Sequence, residues 1–162
     1  MTTIFVAHVR PILEYCSVIW NLGYLCDMRS LESVQRRWTR EIDGLGHLGY
    51  RERLEELGLY SIFGRLLRMD LIKIWKVFKG GLVQELQGLF ELPIHPATRG
   101  HAFKLSVPRH RLDIRGRFFA VRCVRLWNTL PSYIVESRTP EEFKSCLDTH
   151  LSFRFYDTFD GH

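Results

Sequence analysis

The apolar periodicity of residues 61–79 constrains the fold more than any other feature of the sequence. Seven apolar side chains recur there at the spacing of one helix face: Phe63, Leu66, Leu67, Leu71, Ile74, Trp75 and Phe78. Basic residues occupy the opposite face, and Gly80-Gly81 follows as a stop signal. Such a broad stripe must be buried against other elements, so it predicts a long core helix. The spacing does not decide whether the basic face meets solvent or phosphate.

Three shorter helical patterns precede the long one. The first has the apolar stripe Phe5, Val9, Ile12, Cys16 and Ile19. The second covers residues 30–42, with an expected inward face of Leu31, Val34, Trp38 and Ile42. The third is a short helix over residues 50–57 that Gly58 closes. The first part of the chain, residues 1–94, is therefore predicted to form a helical lobe.

The sequence after Pro93 has shorter segments. Leu112 and Ile114 alternate with polar residues, which favours a short extended or hairpin segment over residues 111–115. A helix is expected over residues 117–128, with Trp127 inward. Another should begin at Thr139, whose hydroxyl is followed three residues later by Glu142 as in a capping box. The predicted fold is mainly α: the helical lobe, a basic lobe over residues 95–151 with two or three helices, and a frayed tail over residues 152–162.

Positive charge is concentrated in the second half of the chain. The whole sequence has a formal net charge of +5, and between residues 99 and 125 a single acid, Asp113, accompanies eight basic side chains: Arg99, Lys104, Arg109, Arg111, Arg115, Arg117, Arg122 and Arg125. Arginine suits bidentate phosphate contact and stacking on bases. The tract therefore favours a nucleic-acid partner, and the alternative is a solvated surface whose charge maintains solubility. Of the adjacent rings Phe118 and Phe119, one should face the core and the other is a candidate stacking platform.

Sequence signals for catalysis, metals and cofactors are missing. No phosphate-binding loop, dinucleotide fingerprint or nucleophile elbow occurs, so no catalytic residue and no cofactor are assigned. A zinc site assembled from His101, His110, Cys123 and Cys146 lacks the closely spaced ligand pairs of structural sites. The four cysteines show no C-x-x-C spacing and are expected to be reduced, in an intracellular protein of the nucleus or cytoplasm. The opening apolar run is interrupted by His8, Arg10 and Pro11, which argues against a membrane span.

A set of short phrases occurs in a fixed order from about residue 8 to residue 151. They are residues 9–15 with 20–21, 31–37 with 39–40, Tyr50, 53–54, 57–59, 70–72, Lys76, 98–101, 118–119, Arg122, 127–131, 143–144 and 147–148. Together they resemble the C-terminal region of the reverse transcriptases of non-LTR (LINE-type) retrotransposons. The sequence departs from that family at Asn21-Leu22, where a proline is usual after the tryptophan, and at residues 62–65.

The resemblance implies a helical thumb that grips the template–primer duplex, followed by a basic extension that holds RNA or DNA. The catalytic aspartates of that family lie in the palm, which is missing here, so the chain is not expected to polymerise alone. The implied partners are the phosphate backbone of RNA or DNA and the missing palm portion of the parent polymerase. Charge and family position together nominate these binding residues: Arg36, Arg37, Arg40, Arg99, Lys104, Arg109, Arg111, Arg115, Arg117, Phe118 and Arg122. The alternative is a truncated relic or interaction protein that has retained no nucleic-acid activity.

Overall fold

The protein is mainly α-helical, as predicted, in a computed structural model that describes residues 2–79, 88, 90–91, 93 and 100–156. The chain divides into two compact units. Unit 1 consists of Met1–Leu67 and Leu151–His162, and unit 2 of Arg68–His150. The predicted lobe boundary at residues 94–95 lies outside the described residues and stays a prediction.

Helices form most of the described part of unit 1. They are α1 (Thr2–Ile4), a π-helical stretch (Phe5–Val9), α2 (Arg10–Glu14), α3 (Ser17–Trp20), α4 (Leu25–Arg40), α5 (Tyr50–Glu56), the first residues of α6 (Ile62–Lys79) and a C-terminal helix, Ser152–Phe155. The long helix predicted from the apolar stripe is confirmed as α6. The short helix predicted at residue 50 is confirmed as α5, and Gly58 follows it with a left-handed φ of 62°.

The inward faces predicted for the first two helical patterns are confirmed only in part: Phe5 is buried and Leu31 and Trp38 pack against apolar core clusters, but other positions are wrong. On α2 and α3, Arg10, Glu14 and Ser17 are buried while Ile12 and Ile19 are about three-quarters exposed, at 76% and 74%. On α4, the buried positions include Glu32 and Gln35 instead of Val34. Both helices are therefore rotated so that polar side chains face the interior of unit 1.

A continuous hydrogen-bond network accounts for this rotation. The Arg10 guanidinium donates to Gln35 Oε1 from Nε (2.9 Å) and Nη2 (2.8 Å), and Gln35 Nε2 donates to the Tyr50 hydroxyl (3.1 Å). The Tyr50 hydroxyl in turn donates to Glu32. A separate bidentate ion pair joins Arg65 to Glu14, with 2.8 Å between Nη2 and Oε2. Buried polar groups are tolerated when each finds partners, and apolar periodicity carries no information about such partners.

The network ends at the N-terminus of α6. The two carboxylate oxygens of Glu32 accept hydrogen bonds from the backbone N–H groups of Ile62 (3.1 Å) and Phe63 (3.2 Å). Ser61 is the N-cap, because its hydroxyl oxygen accepts from the N–H of Gly64 (3.0 Å). Three donors that the helix itself leaves unsatisfied are thus paired, and a negative charge lies at the positive end of the helix dipole. Burial nevertheless raises the pKa of the Glu32 carboxyl.

Ser152–Phe155 is helical instead of frayed, so the predicted frayed tail is wrong for these residues, and residues 157–162 lie outside the described residues. Phe155 is fully buried, and its carbonyl accepts hydrogen bonds from both the N–H (2.9 Å) and the hydroxyl (3.0 Å) of Ser61. A Cβ added at Gly64 would lie 2.4 Å from the same carbonyl oxygen. The absence of a side chain at Gly64 lets the Phe155 backbone approach α6 this closely.

Unit 2 contains the rest of α6 and four further helices in its described residues: α7 (Asp113–Arg117), α8 (Phe119–Thr129), α9 (Ser132–Val135) and α10 (Pro140–His150). The C-terminal Ser152–Phe155 is accordingly α11. The cap predicted for α10 is confirmed, since the Glu142 N–H donates to the Thr139 hydroxyl (3.1 Å), and Pro140 is the first helical residue.

Trp127 lies at the centre of unit 2. Its side chain is fully buried, with ring centroids 6.3 Å from both Phe78 and Phe143, which confirms its predicted inward position. Its indole N–H donates to the carbonyl of Phe103 (2.8 Å). The Asn128 amide pairs with both backbone groups of Leu105, at 2.8 and 2.9 Å. The Trp-Asn pair therefore holds the irregular segment of residues 103–105 against α8.

The hairpin considered for residues 111–115 does not form, and no strand occurs in the described residues. Asp113–Arg117 is a helix instead, with an ion pair between Arg117 Nε and Asp113 Oδ2 (2.7 Å) four residues apart. The alternation of Leu112 and Ile114 did not indicate a buried strand face, because both side chains are mostly exposed.

Replacing Glu32 with glutamine tests the network. Glutamine presents one acceptor oxygen and one NH₂ group, so the N–H of Ile62 or Phe63 would lose its partner. We expect the free energy of unfolding to fall by about 1–3 kcal/mol, as for a buried donor left unsatisfied. Urea denaturation followed by circular dichroism measures the change. Glu55→Gln is the matched control, since Glu55 only pairs with Arg51 on the surface and should change stability by less than about 0.5 kcal/mol. Equal effects of the two variants would contradict the assigned role of Glu32.

Candidate nucleic-acid interface

The most prominent basic feature of unit 2 is a run of seven consecutive exposed residues, 109–115, which we call the basic tip. It presents Arg109, Arg111 and Arg115 to solvent. Within the described residues, neither Arg109 nor Arg111 forms an ion pair. The predicted binding residues at these three positions therefore lie together on the surface.

The single acid of the tip is neutralised within α7. Asp113 is paired with Arg117, so Arg117 is half-buried and engaged where the sequence suggested a phosphate contact. The net charge that the tip offers to a ligand comes from the other arginines. Their field is weakened little by Asp113, because the charges of a close pair largely cancel at a distance.

The expectation for the two adjacent phenylalanines is confirmed in its geometry. Phe119 is buried, and its ring lies 5.7 Å from that of Phe90. Phe118 is half-buried, and the Arg115 guanidinium lies 5.4 Å from its ring centroid. The half-buried Phe118 therefore remains the candidate for contact with an unpaired base, beside a cation at the base of the tip.

Arg122 does not have the displayed position expected of a binding residue. Its Nη2 and Nε donate to Asp70 Oδ2 at 2.7 and 3.1 Å, and the two side chains are only 16% and 4% exposed. Burial raises the pKa of the Asp70 carboxyl to about 6, although the Arg122 guanidinium opposes this shift. The sequence prediction failed here because the partner lies 52 residues away on another helix. Arg125, on the same helix, is exposed as expected.

The remaining predicted binding residues of the basic tract are Lys104 and Arg99. Lys104 is half-buried, and its side chain covers Gly100, where an added Cβ would lie 2.8 Å from Lys104 Cε. Arg99 lies outside the described residues. Lys104 is therefore placed near the irregular segment that Trp127 and Asn128 hold, instead of in the basic tip.

The three arginines proposed in unit 1 lie on α4 in different environments. Arg37 and Arg40 are exposed, with Arg40 Nε 3.7 Å from Glu41 Oε1. Arg36 is half-buried, and its guanidinium lies 4.7 Å from the ring centroid of Tyr50. Arg37 and Arg40 can reach a phosphate without giving up an internal contact of comparable strength, whereas Arg36 supports the buried tyrosine.

The basic face of α6, which the sequence left undecided, is largely committed to internal contacts. Arg65 pairs with Glu14, and Arg68 pairs with Asp148 at 2.8 Å between Nη2 and Oδ2. The Lys79 ammonium lies 4.4 Å from the ring centroid of Phe103. This face is therefore a poorer candidate for phosphate binding than the basic tip.

The chemistry-bearing groups considered for other functions are not brought together. All four cysteines carry free thiols, of which Cys123 is buried, and burial raises the pKa of that thiol. Across the described residues, no three His, Cys, Asp or Glu side chains are grouped so as to hold a metal ion. His101 is buried, with Nε2 3.1 Å from the carbonyl of Trp127, so it contributes to the core.

Two functional features were missed by sequence reasoning. One is the ion pair of Asp70, which has no local signal. The other is the exposure of Leu112 and Ile114, which are 64% and 55% exposed between the arginines of the tip. In the sequence these two residues lie between arginines, and that pattern is compatible with an exposed segment as well as with a β-strand.

Comparison with protein-family models, with curated proteins and with solved structures gives no match to this chain. In the part of the chain that the structure describes, each helix is too short or too polar to cross a membrane.

Replacing Arg122 with alanine tests whether this arginine stabilises the fold, in contrast to the exposed arginines of the tip. The change leaves Asp70 buried without its cation, so we expect the free energy of unfolding to fall by about 3 kcal/mol at neutral pH. Arg109→Ala, in the exposed tip, should change it by less than about 0.5 kcal/mol. Urea denaturation measures both.

The pH dependence is a second readout of the same variant. The folded pKa of Asp70 lies above its ordinary value of 3.8, so ionisation of this carboxyl lowers the stability of the wild type as pH rises between the two values. The loss caused by Arg122→Ala should therefore shrink as pH falls toward 5, because protonation removes the unpaired charge. A loss that does not vary with pH would contradict the assigned pairing.

Proposed function

We propose that this chain binds RNA or DNA through the phosphate backbone without reading base sequence. The observation that carries the proposal is the basic tip, in which three exposed arginines lie within seven residues and the only acid is paired. Arginines presented in this way contact phosphates with little loss of internal structure.

Two further observations support the proposal. The half-buried Phe118 ring, with the exposed Arg115 guanidinium beside it, supplies an aromatic group near the candidate phosphate-binding arginines, which suits unpaired bases. In unit 1, Arg37 and Arg40 add exposed cations on α4. The resemblance to the thumb and downstream region of retrotransposon reverse transcriptases gives these surfaces a template–primer duplex or element RNA as ligand. We propose binding and not polymerisation, since the resemblance places the catalytic aspartates in a palm that the matched residues do not include.

Neutralising the tip tests this function directly. The variant Arg109→Gln/Arg111→Gln/Arg115→Gln should lower affinity for single-stranded DNA and for an RNA–DNA hybrid by about tenfold or more at moderate salt, because three phosphate contacts are lost. Fluorescence anisotropy with labelled oligonucleotides measures the dissociation constants.

The matched control removes the same charge elsewhere. Arg29→Gln/Arg138→Gln/Arg154→Gln changes the net charge equally at exposed positions outside the tip. We expect it to lower affinity by less than about threefold. Equal losses in the two variants would show that overall charge, and not the tip, accounts for binding.

The second candidate function is protein interaction, and the outward face of α2 and α3 favours it. Ile12, Tyr15 and Ile19 are each about three-quarters exposed, whereas Arg10 and Glu14, the charged residues of this segment, are buried. An uncharged apolar surface of this kind marks a protein contact and not a phosphate contact. Within the family resemblance, the partner is the palm portion of the polymerase.

Serine substitutions on this face distinguish the two candidates. Ile12→Ser/Ile19→Ser should abolish co-purification with a co-expressed reverse-transcriptase palm segment while leaving oligonucleotide affinity within about twofold of the wild type. Both side chains are exposed, so the fold should be retained, which circular dichroism checks. Unchanged co-purification would exclude this face as the palm contact.

A further inference from the structure

The basic tip presents aliphatic side chains that phosphate binding does not explain. Leu112 and Ile114 are 64% and 55% exposed, and each is flanked by arginine within two positions. Exposed aliphatic groups are unfavourable in water, and arginines alone would suffice to hold a phosphate backbone. Leu112 and Ile114 are therefore the apolar groups that the tip can offer to a ligand, one on each side of Asp113 in the sequence.

Both aliphatic side chains are carried on an ordered scaffold. The Leu112 carbonyl accepts hydrogen bonds from the N–H groups of Arg115 (3.1 Å) and Gly116 (3.3 Å), which fixes Leu112 at the start of α7. The His110 ring lies against Gly116, where an added Cβ would be 2.5 Å from His110 Nε2. The segment thus folds back on itself, and its apolar groups are presented without a large ordering cost on binding.

The surroundings of these side chains favour nucleic acid over other ligands. Arg109, Arg111 and Arg115 can hold phosphates on either side of an inserted group, and the partly exposed Phe118 ring beside Arg115 supplies an aromatic contact for a displaced base. Proteins that kink or open duplexes insert Leu or Ile between base steps in this way while cations grip the backbone. A lipid surface would use the cations and the aliphatic groups but offers no base to contact Phe118.

We propose that Leu112 and Ile114 form a wedge that enters opened base steps, so that the tip selects bulged or frayed positions in a duplex. The proposal rests on the proposed nucleic-acid binding and specifies its ligand. Opening a paired step costs free energy, and that cost is smaller where the step is already distorted. The wedge therefore predicts a preference for distorted duplexes, whereas phosphate contact alone predicts none.

Two duplexes that differ by one unpaired nucleotide test the wedge. Each carries 2-aminopurine, whose fluorescence rises on unstacking, at the bulge or at the corresponding paired step. We expect the wild type to bind the bulged duplex about tenfold more tightly and to raise its fluorescence. Leu112→Ser/Ile114→Ser should reduce the preference to about one, with the salt dependence of binding unchanged because the arginines remain.

Two control variants make the result specific. Leu25→Ser removes an exposed leucine of unit 1, at 51% exposure, and should keep the full preference. Leu112→Met/Ile114→Val keeps apolar side chains at the tip and should also keep it. Circular dichroism of each variant checks that its helical content is unchanged.

The possible failures are distinguishable. Equal affinity for the two duplexes, or a preference that survives Leu112→Ser/Ile114→Ser, would overturn the wedge and leave phosphate binding intact. No binding to either duplex at low salt would overturn both proposals. Binding to phosphatidylserine–phosphatidylcholine vesicles that the serine variant abolishes, without any bulge preference in the wild type, would overturn the wedge in favour of a lipid surface.

Discussion

The carboxylate of Glu32 accepts hydrogen bonds from the first two N–H groups of α6 and from the hydroxyl of Tyr50, and so joins α4, α5 and α6 within unit 1. A helix that begins inside a protein cannot leave these donors without partners. Satisfying them required a carboxylate on the inner face of α4, and Gln35 and Arg10 extend the chain of hydrogen bonds from Tyr50. Unit 1 is thus organised around buried polar groups instead of a wholly apolar core.

This arrangement explains which parts of the fold the sequence could predict. The apolar stripe of α6, the cap at Thr139 and the buried Trp127 follow from local rules and are confirmed. The buried polar residues of α2 and α4 were not predicted, because their hydrogen-bond partners lie up to 51 positions away. A prediction from apolar periodicity places polar residues toward solvent, so it assigns the wrong face of such a helix to the core.

The candidate site, like the fold, could be predicted from the sequence only in part. Clustering of arginine in the sequence located the basic tip, and the exposure of Arg109, Arg111 and Arg115 agrees with that prediction. It could not separate these residues from Arg122, whose charge is used to pair a buried acid. Charge density in a sequence therefore nominates a region, whereas the contacts of each guanidinium decide which arginines remain to meet a ligand.

The salt dependence of oligonucleotide binding tests the central claim most directly. If about six phosphates are engaged by the exposed cations, the logarithm of the association constant should fall with the logarithm of the salt concentration with a slope of about −4 to −5, depending on the strand form. Removing the three tip arginines should bring the slope closer to zero by about 2 to 3. Binding that does not respond to salt, or a slope that the tip variant leaves unchanged, would contradict the account.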